Sequence, residues 1–304
     1  MPTIKQKLIS LVFIALLSAA AQAPFSSHAN EIDTPSSQPQ GFSPFAIEVT
    51  KDGQYAYLSF DLSEVIFKVR LADLSTVAIA DLSAYFPIEC EHIALDADEK
   101  KLFVYSPTWR KLLVLDTETM GLVHMIDDYG LIGMFRSRFG SHLITWDGGN
   151  TVKFVNTETN AVTESTNLDL GFVSKIQEDP SDPNKWYVAT QLEPGDPLSI
   201  GRYDHVTKSW SNSVSVPLQS EGEGIFDFRV LPNGQKAYVA TVGGWYPDYH
   251  AYGCLYAVDL VTKQVQVVSI DGGALCLESN PDGTRLFVGT GWPQPNTNNL
   301  LVVD

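Results

Sequence analysis

The sequence predicts an all-β protein, a β-propeller of four-stranded antiparallel blades, and two recurring phrases predict it. The first phrase is a turn followed by an apolar strand, and its clearest copies span residues 51–59, 232–241 and 281–290. The second turn residues of the six copies are 53, 99, 140, 184, 234 and 283. A nearly constant period in the forties indicates one supersecondary unit repeated around an axis.

Each unit is predicted to contain four strands. Asp-Gly or Asn-Gly between two apolar runs predicts a tight hairpin, because Gly and Asn tolerate positive φ in primed turns. The second phrase follows downstream, where an apolar strand ends on Asp or Asn and Thr comes three residues later, as in Asp116–Thr119 and Asp259–Thr262. The Asp or Asn side chain can bond local backbone N–H groups and fix the turn into a fourth strand. A β-sandwich is the competing all-β fold, but sandwiches rarely show this internal repetition.

These phrases resemble the YVTN-type repeat of β-propeller proteins. The resemblance covers about residues 44–304 and is most specific in the units around residues 99, 234 and 283. It implies an exported propeller, secreted or periplasmic and often seven-bladed, and brings no catalytic motif with it.

The two ends of the chain carry separate predictions. Lys5 and Lys7 precede the apolar run 8–20, which predicts a signal peptide over residues 1–29 with cleavage after Ala29. An uncleaved anchor is the alternative, although the run is short for a membrane span. Residues 30–43 are predicted to be a flexible leader, and 44–304 the propeller domain.

The sixth unit ends at 301–304, where its fourth strand should follow. No segment before Pro44 is expected to supply that strand, so the sequence predicts six visible units with the last incomplete. A seventh blade is expected in a full-length chain, because an unclosed propeller exposes sheet edges.

Composition limits the partners. The formal net charge of −16 disfavours nucleic-acid binding, because an acidic surface repels phosphates. The three cysteines, Cys90, Cys254 and Cys276, are expected to be core thiols, with a bridge between Cys254 and Cys276 as the alternative.

A candidate ligand-binding site comes from aromatic residues that follow the second strand of several units. Exposed aromatic rings are suited to stacking on sugars or anchoring peptides. The alternative is that each Trp packs against the neighbouring blade. The candidates are Trp109, Trp146, Trp245, Tyr246, Tyr249 and Trp292.

A weaker candidate is a metal site in the central channel. Glu91, Asp227 and Glu278 fall on predicted inner strands, and converging carboxylates could hold Ca²⁺. No cofactor is otherwise predicted, since neither a zinc motif nor a haem-attachment motif occurs.

Three functions remain open from the sequence. The first is an exported, non-catalytic propeller that binds a protein or cell-surface glycan, with no membrane span after signal cleavage. The second is a lactonase-like hydrolase that uses channel carboxylates and a divalent metal. The third is a cofactor-bearing electron-transfer propeller, which the missing haem motif disfavours.

Overall fold

A computed structural model of the chain shows six antiparallel sheets arranged as propeller blades. All regular structure in the described residues is β-strand. The structure describes residues 9–10, 44–60, 63–71, 73, 75–85, 90–126, 130–147, 149–170, 173–191, 196–219, 223–242, 254–269, 273–280, 282–284, 286–291 and 299–303. No helix in these ranges is long and apolar enough to cross a membrane.

The first strand of each blade lies at the central channel and the fourth at the rim. Before the blades comes β1 (Ile9–Ser10). Blade 1 contains β2 (Pro44–Val49), β3 (Tyr55–Phe60), β4 (Val65–Arg70) and β5 (Thr76–Asp81). Blade 2 contains β6 (His92–Leu95), β7 (Lys101–Ser106), β8 (Lys111–Asp116) and β9 (Leu122–Ile126). Blade 3 contains β10 (Gly133–Arg136), β11 (His142–Trp146), β12 (Thr151–Asn156) and β13 (Ala161–Asn167).

The remaining blades follow the same order. Blade 4 contains β14 (Lys175–Glu178), β15 (Lys185–Thr190), β16 (Leu198–Asp204) and β17 (Ser209–Val216). Blade 5 contains β18 (Gly224–Val230), β19 (Lys236–Val242), β20 (Cys254–Asp259) and β21 (Val265–Ser269). Blade 6 contains β22 (Gly273–Ser279), β23 (Leu286–Gly291) and β24 (Asn299–Val303), and β1 pairs with β24 as its outermost strand.

The turns between first and second strands use glycine as expected. Gly53, Gly234 and Gly283 have φ of 65°, 67° and 69°, a region where a Cβ is costly. Asp52 accepts a hydrogen bond from the backbone N–H of Gln54 at 2.9 Å, and Asn233 and Asp282 do the same in their own turns. The positive φ is limited to the glycine of each of these turns. The expected primed geometry, with positive φ at both central residues, is therefore wrong for them.

The turns between third and fourth strands form as the second phrase predicts. Asp116 Oδ1 accepts hydrogen bonds from the N–H groups of Glu118 and Thr119, at 3.1 and 2.7 Å. Asn156, Asp204 and Asp259 occupy the same place in blades 3, 4 and 5. The bonds hold the chain where it reverses into the outer strand.

The hydrophobic core lies in layers between neighbouring blades. Leu102 and Val104 of blade 2 pack with Tyr57 and Ile66 of blade 1, and all four are almost completely buried. Tyr187 and Ile200 of blade 4 pack in the same way with Val239 of blade 5. Since every blade buries its faces against both neighbours, the blades depend on one another for stability.

The ring of blades closes with six units. Each first strand contacts the first strand of the next blade, and β22 of blade 6 contacts β2 of blade 1. Five blades are complete, and the sixth is partial because its fourth strand has only two residues. Blades 6 and 1 touch in this ring, and the seventh blade expected of a full-length chain stays a prediction. The expectation that no segment before Pro44 supplies a strand was wrong, since Ile9 pairs with Leu300.

The cysteines are core thiols, as expected. Cys90, Cys254 and Cys276 are all free and buried. Burial raises the pKa of Cys90 to about 12, so its thiol stays protonated at neutral pH. The alternative, a bridge between Cys254 and Cys276, is not formed.

Candidate functional site

The connections between strands fall on two opposite faces of the propeller. The loops between second and third strands, and the connections from one blade to the next, lie on one face, named here the loop face. The turns between first and second strands and between third and fourth strands lie on the other, named the turn face. Propellers offer ligands a face of connecting loops held by a rigid scaffold.

Trp109 is the predicted site residue that the structure places on the loop face. It lies between β7 and β8, and 43% of its surface is exposed. The loop is tight, because Arg110 has φ of 51° and its N–H bonds the Pro107 carbonyl at 3.3 Å. The short loop therefore holds a large aromatic side chain out towards solvent.

The connection between blades 2 and 3 lies beside this loop. The Arg110 guanidinium rests against Gly130, where an added Cβ would come within 3.1 Å of Nη2. The Tyr105 hydroxyl accepts the N–H of Leu131 at 3.1 Å, which fixes the connection to blade 2. Ile132 then stands 37% exposed. Trp109, Arg110 and Ile132 together form what we name the Trp109 patch.

Trp146 lies elsewhere. It is the last residue of β11, only 5% exposed, and its indole N–H donates to the Ser174 carbonyl at 3.2 Å. Its ring covers Gly133 so closely that a Cβ there would lie 2.0 Å from it. Trp146 therefore packs in the core between blades 3 and 4, which is the alternative role considered from the sequence. Trp245, Tyr246, Tyr249 and Trp292 lie outside the described residues.

Of the predicted channel carboxylates, Asp227 and Glu278 lie on first strands, whereas Glu91 directly precedes β6. Asp227 and Glu278 have partners within the protein. Asp227 Oδ2 accepts the N–H of Leu277 at 2.6 Å, and Glu278 forms an ion pair with Arg229. The Glu91 backbone N–H bonds the Tyr105 carbonyl at 3.0 Å at the start of blade 2. In the described part of the chain, no three acidic, His or Cys side chains are grouped as a metal site would require.

The channel narrows towards the loop face. Phe45 and Phe226, from blades 1 and 5, meet across it with ring centroids 5.5 Å apart. His92 stands beside Phe45, and burial lowers the pKa of His92 to about 3, so its ring is neutral. The cavity beside these rings is about 120 Å³, which has room for a few water molecules rather than a substrate. A second cavity of about 280 Å³ lies at the turn-face end of the channel.

A network of arginines and glutamates lines the turn-face end of the channel, and the sequence analysis did not single it out. Arg136 lies 3.2 Å from Glu99 and 3.9 Å from Glu48. Burial raises the pKa of Glu48 despite these arginines, and burial also lowers the pKa of Arg229. The available signal was that first strands alternate in charge, with Glu48 and Glu278 opposite Arg136 and Arg229. These ion pairs link blades 1, 2 and 3 through Arg136, and blades 5 and 6 through Arg229.

Comparison with known proteins supports the fold alone. No protein-family model matches the chain, and no curated protein matches it in sequence. Among solved structures, hydrazine synthase from Kuenenia stuttgartiensis is similar with a TM-score of 0.63 and 14% identity, over 86% of this chain and 77% of that one. The WD40 repeats of RRP9 are similar with a TM-score of 0.62 and 13% identity, over 90% of this chain and 99% of that one. U3-55K gives a TM-score of 0.62 and 12% identity, over 87% and 96%.

Proposed function

We propose that this protein is a non-catalytic binding propeller that docks a protein partner through its loop face. The observation that carries the proposal is the Trp109 patch, where an exposed Trp and an exposed Arg share the loop face with the connection that carries an exposed Ile, and the Arg guanidinium lies against Gly130 of that connection. Trp and Arg are the residue types most enriched at the energetic centres of protein interfaces. The propeller scaffold of the WD40 repeats in RRP9 and of U3-55K supports this reading.

A hydrolytic function has less support. It would need carboxylates that are free to hold a metal or activate water, whereas Asp227 and Glu278 are bonded to Leu277 and Arg229. A glycan is the second ligand class that the patch could stack against, because a sugar face packs on an indole. A protein is favoured because the patch joins Trp109 to an aliphatic side chain and a guanidinium rather than to amides.

Export is part of the proposal. It is supported by Lys5 and Lys7 before the apolar run 8–20. Cleavage after Ala29 would remove Ile9–Ser10 and leave β24 as the outer strand of blade 6. Mass spectrometry of protein recovered outside the cytoplasm should then find a chain that begins at Asn30. An intact Met1 there would contradict cleavage of the signal peptide, and recovery of the protein from the cytoplasm alone would contradict export.

Site-specific photocrosslinking tests the binding surface. A photoreactive amino acid replaces Trp109 in one variant and Val261 in the other. Val261 is the matched control, because it is 70% exposed but lies in a turn on the opposite face. The proposal expects a discrete protein adduct at position 109 that excess unlabelled protein suppresses, and none at 261. Equal labelling at both positions, or an adduct that competition does not suppress, would contradict it.

A glycan array with the wild-type protein and Trp109→Ala distinguishes the two ligand classes. Glycan binding that is lost in the variant would assign the same patch to a sugar. We expect no such signal.

A further inference from the structure

A solvent-accessible cleft lies between blades 3 and 4 on the turn face, away from the Trp109 patch. We name it the blade 3–4 cleft, and it encloses about 320 Å³. Five of the described residues that line it carry aromatic or imidazole rings, and two others are glutamates. The side chains that matter here are Phe139, His142, Phe154, Glu164, Trp186 and His205.

The rings form one continuous cluster. His205 stacks on Trp186 with ring centroids 4.3 Å apart and planes 15° apart. Phe154 stands between them and His142, with its centroid 5.9 Å from Trp186 and 5.5 Å from His142. His205 Nε2 lies 3.1 Å from the Pro183 carbonyl, which fixes the orientation of its ring. Trp186 is fully buried beneath His205, so the rings that the cleft presents are those of His142, Phe154 and His205.

The two preceding clefts, between blades 1 and 2 and between blades 2 and 3, each hold an ammonium group from the chain itself. Between blades 1 and 2, Lys68 Nζ lies 5.1 and 5.5 Å from the ring centroids of Tyr55 and Tyr57. It donates to the Thr117 carbonyl at 2.8 Å. An ammonium over aromatic rings is attracted by their negative faces.

Between blades 2 and 3, a lysine from a different strand fills the same place. Lys101 Nζ donates to the Thr157 carbonyl at 2.5 Å and to the Glu158 carbonyl at 3.2 Å. It also reaches Asn160 Oδ1 at 3.1 Å. Both lysines thus bind the turn between the third and fourth strands of the next blade.

Strand register shows what replaces these lysines in blade 3. In blade 2, Lys101 at the start of the second strand pairs with Asp116 of the third. In blade 3, the residue at the equivalent position is His142, which pairs with Asn156. In blade 1, Lys68 of the third strand pairs with Tyr57 of the second. In blade 3, the residue at the equivalent position is Phe154, which pairs with Ile144. Both positions that supply an ammonium to the other clefts carry a ring here, and no lysine is among the described residues that line this cleft.

The charges around the cleft favour a cation. Glu164 is exposed at the rim, and Glu178 lies deeper, where it accepts hydrogen bonds from Ser137 Oγ at 2.8 Å and the Arg138 N–H at 2.6 Å. Burial lowers the pKa of His142, so its ring is neutral at pH 7 and does not repel a cation. The net charge of the chain, −16, also attracts cations to the protein.

We propose that the blade 3–4 cleft binds an alkylammonium group, which takes the place that Lys68 and Lys101 fill in the preceding clefts. The group could be a quaternary ammonium or a lysine-like primary amine, because both present a positive charge on an apolar stem. The proposal is independent of the proposed function, since the two sites lie on opposite faces.

The direct test is a ligand-observed NMR titration with matched pairs of probes. Choline is compared with its neutral isostere 3,3-dimethylbutan-1-ol, and n-butylammonium with 1-pentanol. We expect saturable binding of the ammonium of at least one pair and at least about tenfold weaker binding of its alcohol, as a desolvated cation–π contact provides. The pair with the tighter ammonium identifies the class of amine. Equal binding of ammonium and alcohol, or no saturable binding by either ammonium, would overturn the proposal.

Variants locate the binding. His142→Lys restores the lysine found in blade 2 and should abolish ammonium binding by supplying an internal cation. Glu164→Gln, an exposed change, should weaken binding by about two- to fivefold. Val261→Ala, an exposed change in blade 5, is the control and should bind as the wild type does. Thermal melts confirm that each variant is folded, and should His142→Lys fail to fold, Phe154→Leu takes its place and should weaken binding. A folded His142→Lys that binds ammonium normally would contradict the assignment.

Discussion

At the scale of single residues, the local environment decides the role of side chains that look alike in sequence. Trp109 and Trp146 both follow an apolar run, yet one is 43% and the other 5% exposed. The difference lies across the sheet, where Gly133 pairs with Trp146 and leaves room for its ring. The sequence could not show this pairing, because β10 carries none of the conspicuous turn signals.

The two tryptophans therefore predict opposite responses to truncation. Trp146→Ala should lower the free energy of unfolding by about 3–5 kcal/mol, as expected for a large core side chain. Trp109→Ala should change it by less than about 0.5 kcal/mol, as expected at the surface. Urea denaturation of both variants checks this. Equal destabilisation would show that Trp109 is also a core residue and would remove the proposed binding patch.

The turn glycines predict a second contrast. Gly53 and Gly283 share a positive φ, but an added Cβ meets nothing within 4 Å at Gly53 and lies 2.7 Å from Pro232 Cδ at Gly283. Valine at either position should lower the free energy of unfolding by about 1–3 kcal/mol, because the backbone would be strained. The cost should be greater at Gly283, because Pro232 of the neighbouring blade must also move. The midpoints of urea denaturation measure both, and an unchanged midpoint in Gly283→Val would contradict the turn geometry.

At the scale of elements, the Asp-x-x-Thr turn was predictable because its bonds are local. Asp116, Asp204 and Asp259 each hold the next backbone N–H groups, and those hydrogen bonds lower the pKa of all three carboxyls. Asn156 makes the same bonds at 2.9 and 2.8 Å without a charge. The lysines that clamp neighbouring blades were not predictable, because Lys101 and Thr157 are distant in sequence.

These turns predict how stability depends on pH. A carboxyl whose pKa is lower in the folded state stabilises the fold above its unfolded pKa, about 3.9, and this contribution is lost as pH falls through the folded pKa. The triple variant Asp116→Asn, Asp204→Asn, Asp259→Asn keeps the hydrogen-bond acceptors but cannot titrate. We expect it to lose less stability than the wild type between pH 5 and pH 2.5, measured by denaturation midpoints. An identical decrease would show that the turns do not carry the acid sensitivity.

At the scale of the whole molecule, the sequence predicted the repeat but not the closure. The period and turns indicated six units, because each unit repeats its own local signals. Closure depends instead on contacts between opposite ends of the chain, such as β2 with β22, which have no local signal. The seventh blade expected of a full-length chain stays a prediction. The ring also accounts for the two faces, since every blade presents its loops on the same side.

The six-bladed ring is the claim on which both proposed sites depend, and a crystal structure of the full chain tests it most directly. The account predicts six radial sheets around one channel, with β2 packed against β22 and Phe45 in contact with Phe226. It also predicts Trp109 on one face and the ring cluster of Phe154, Trp186 and His205 on the other. An open gap between the first and sixth sheets, or a further blade lying between them, would contradict the account.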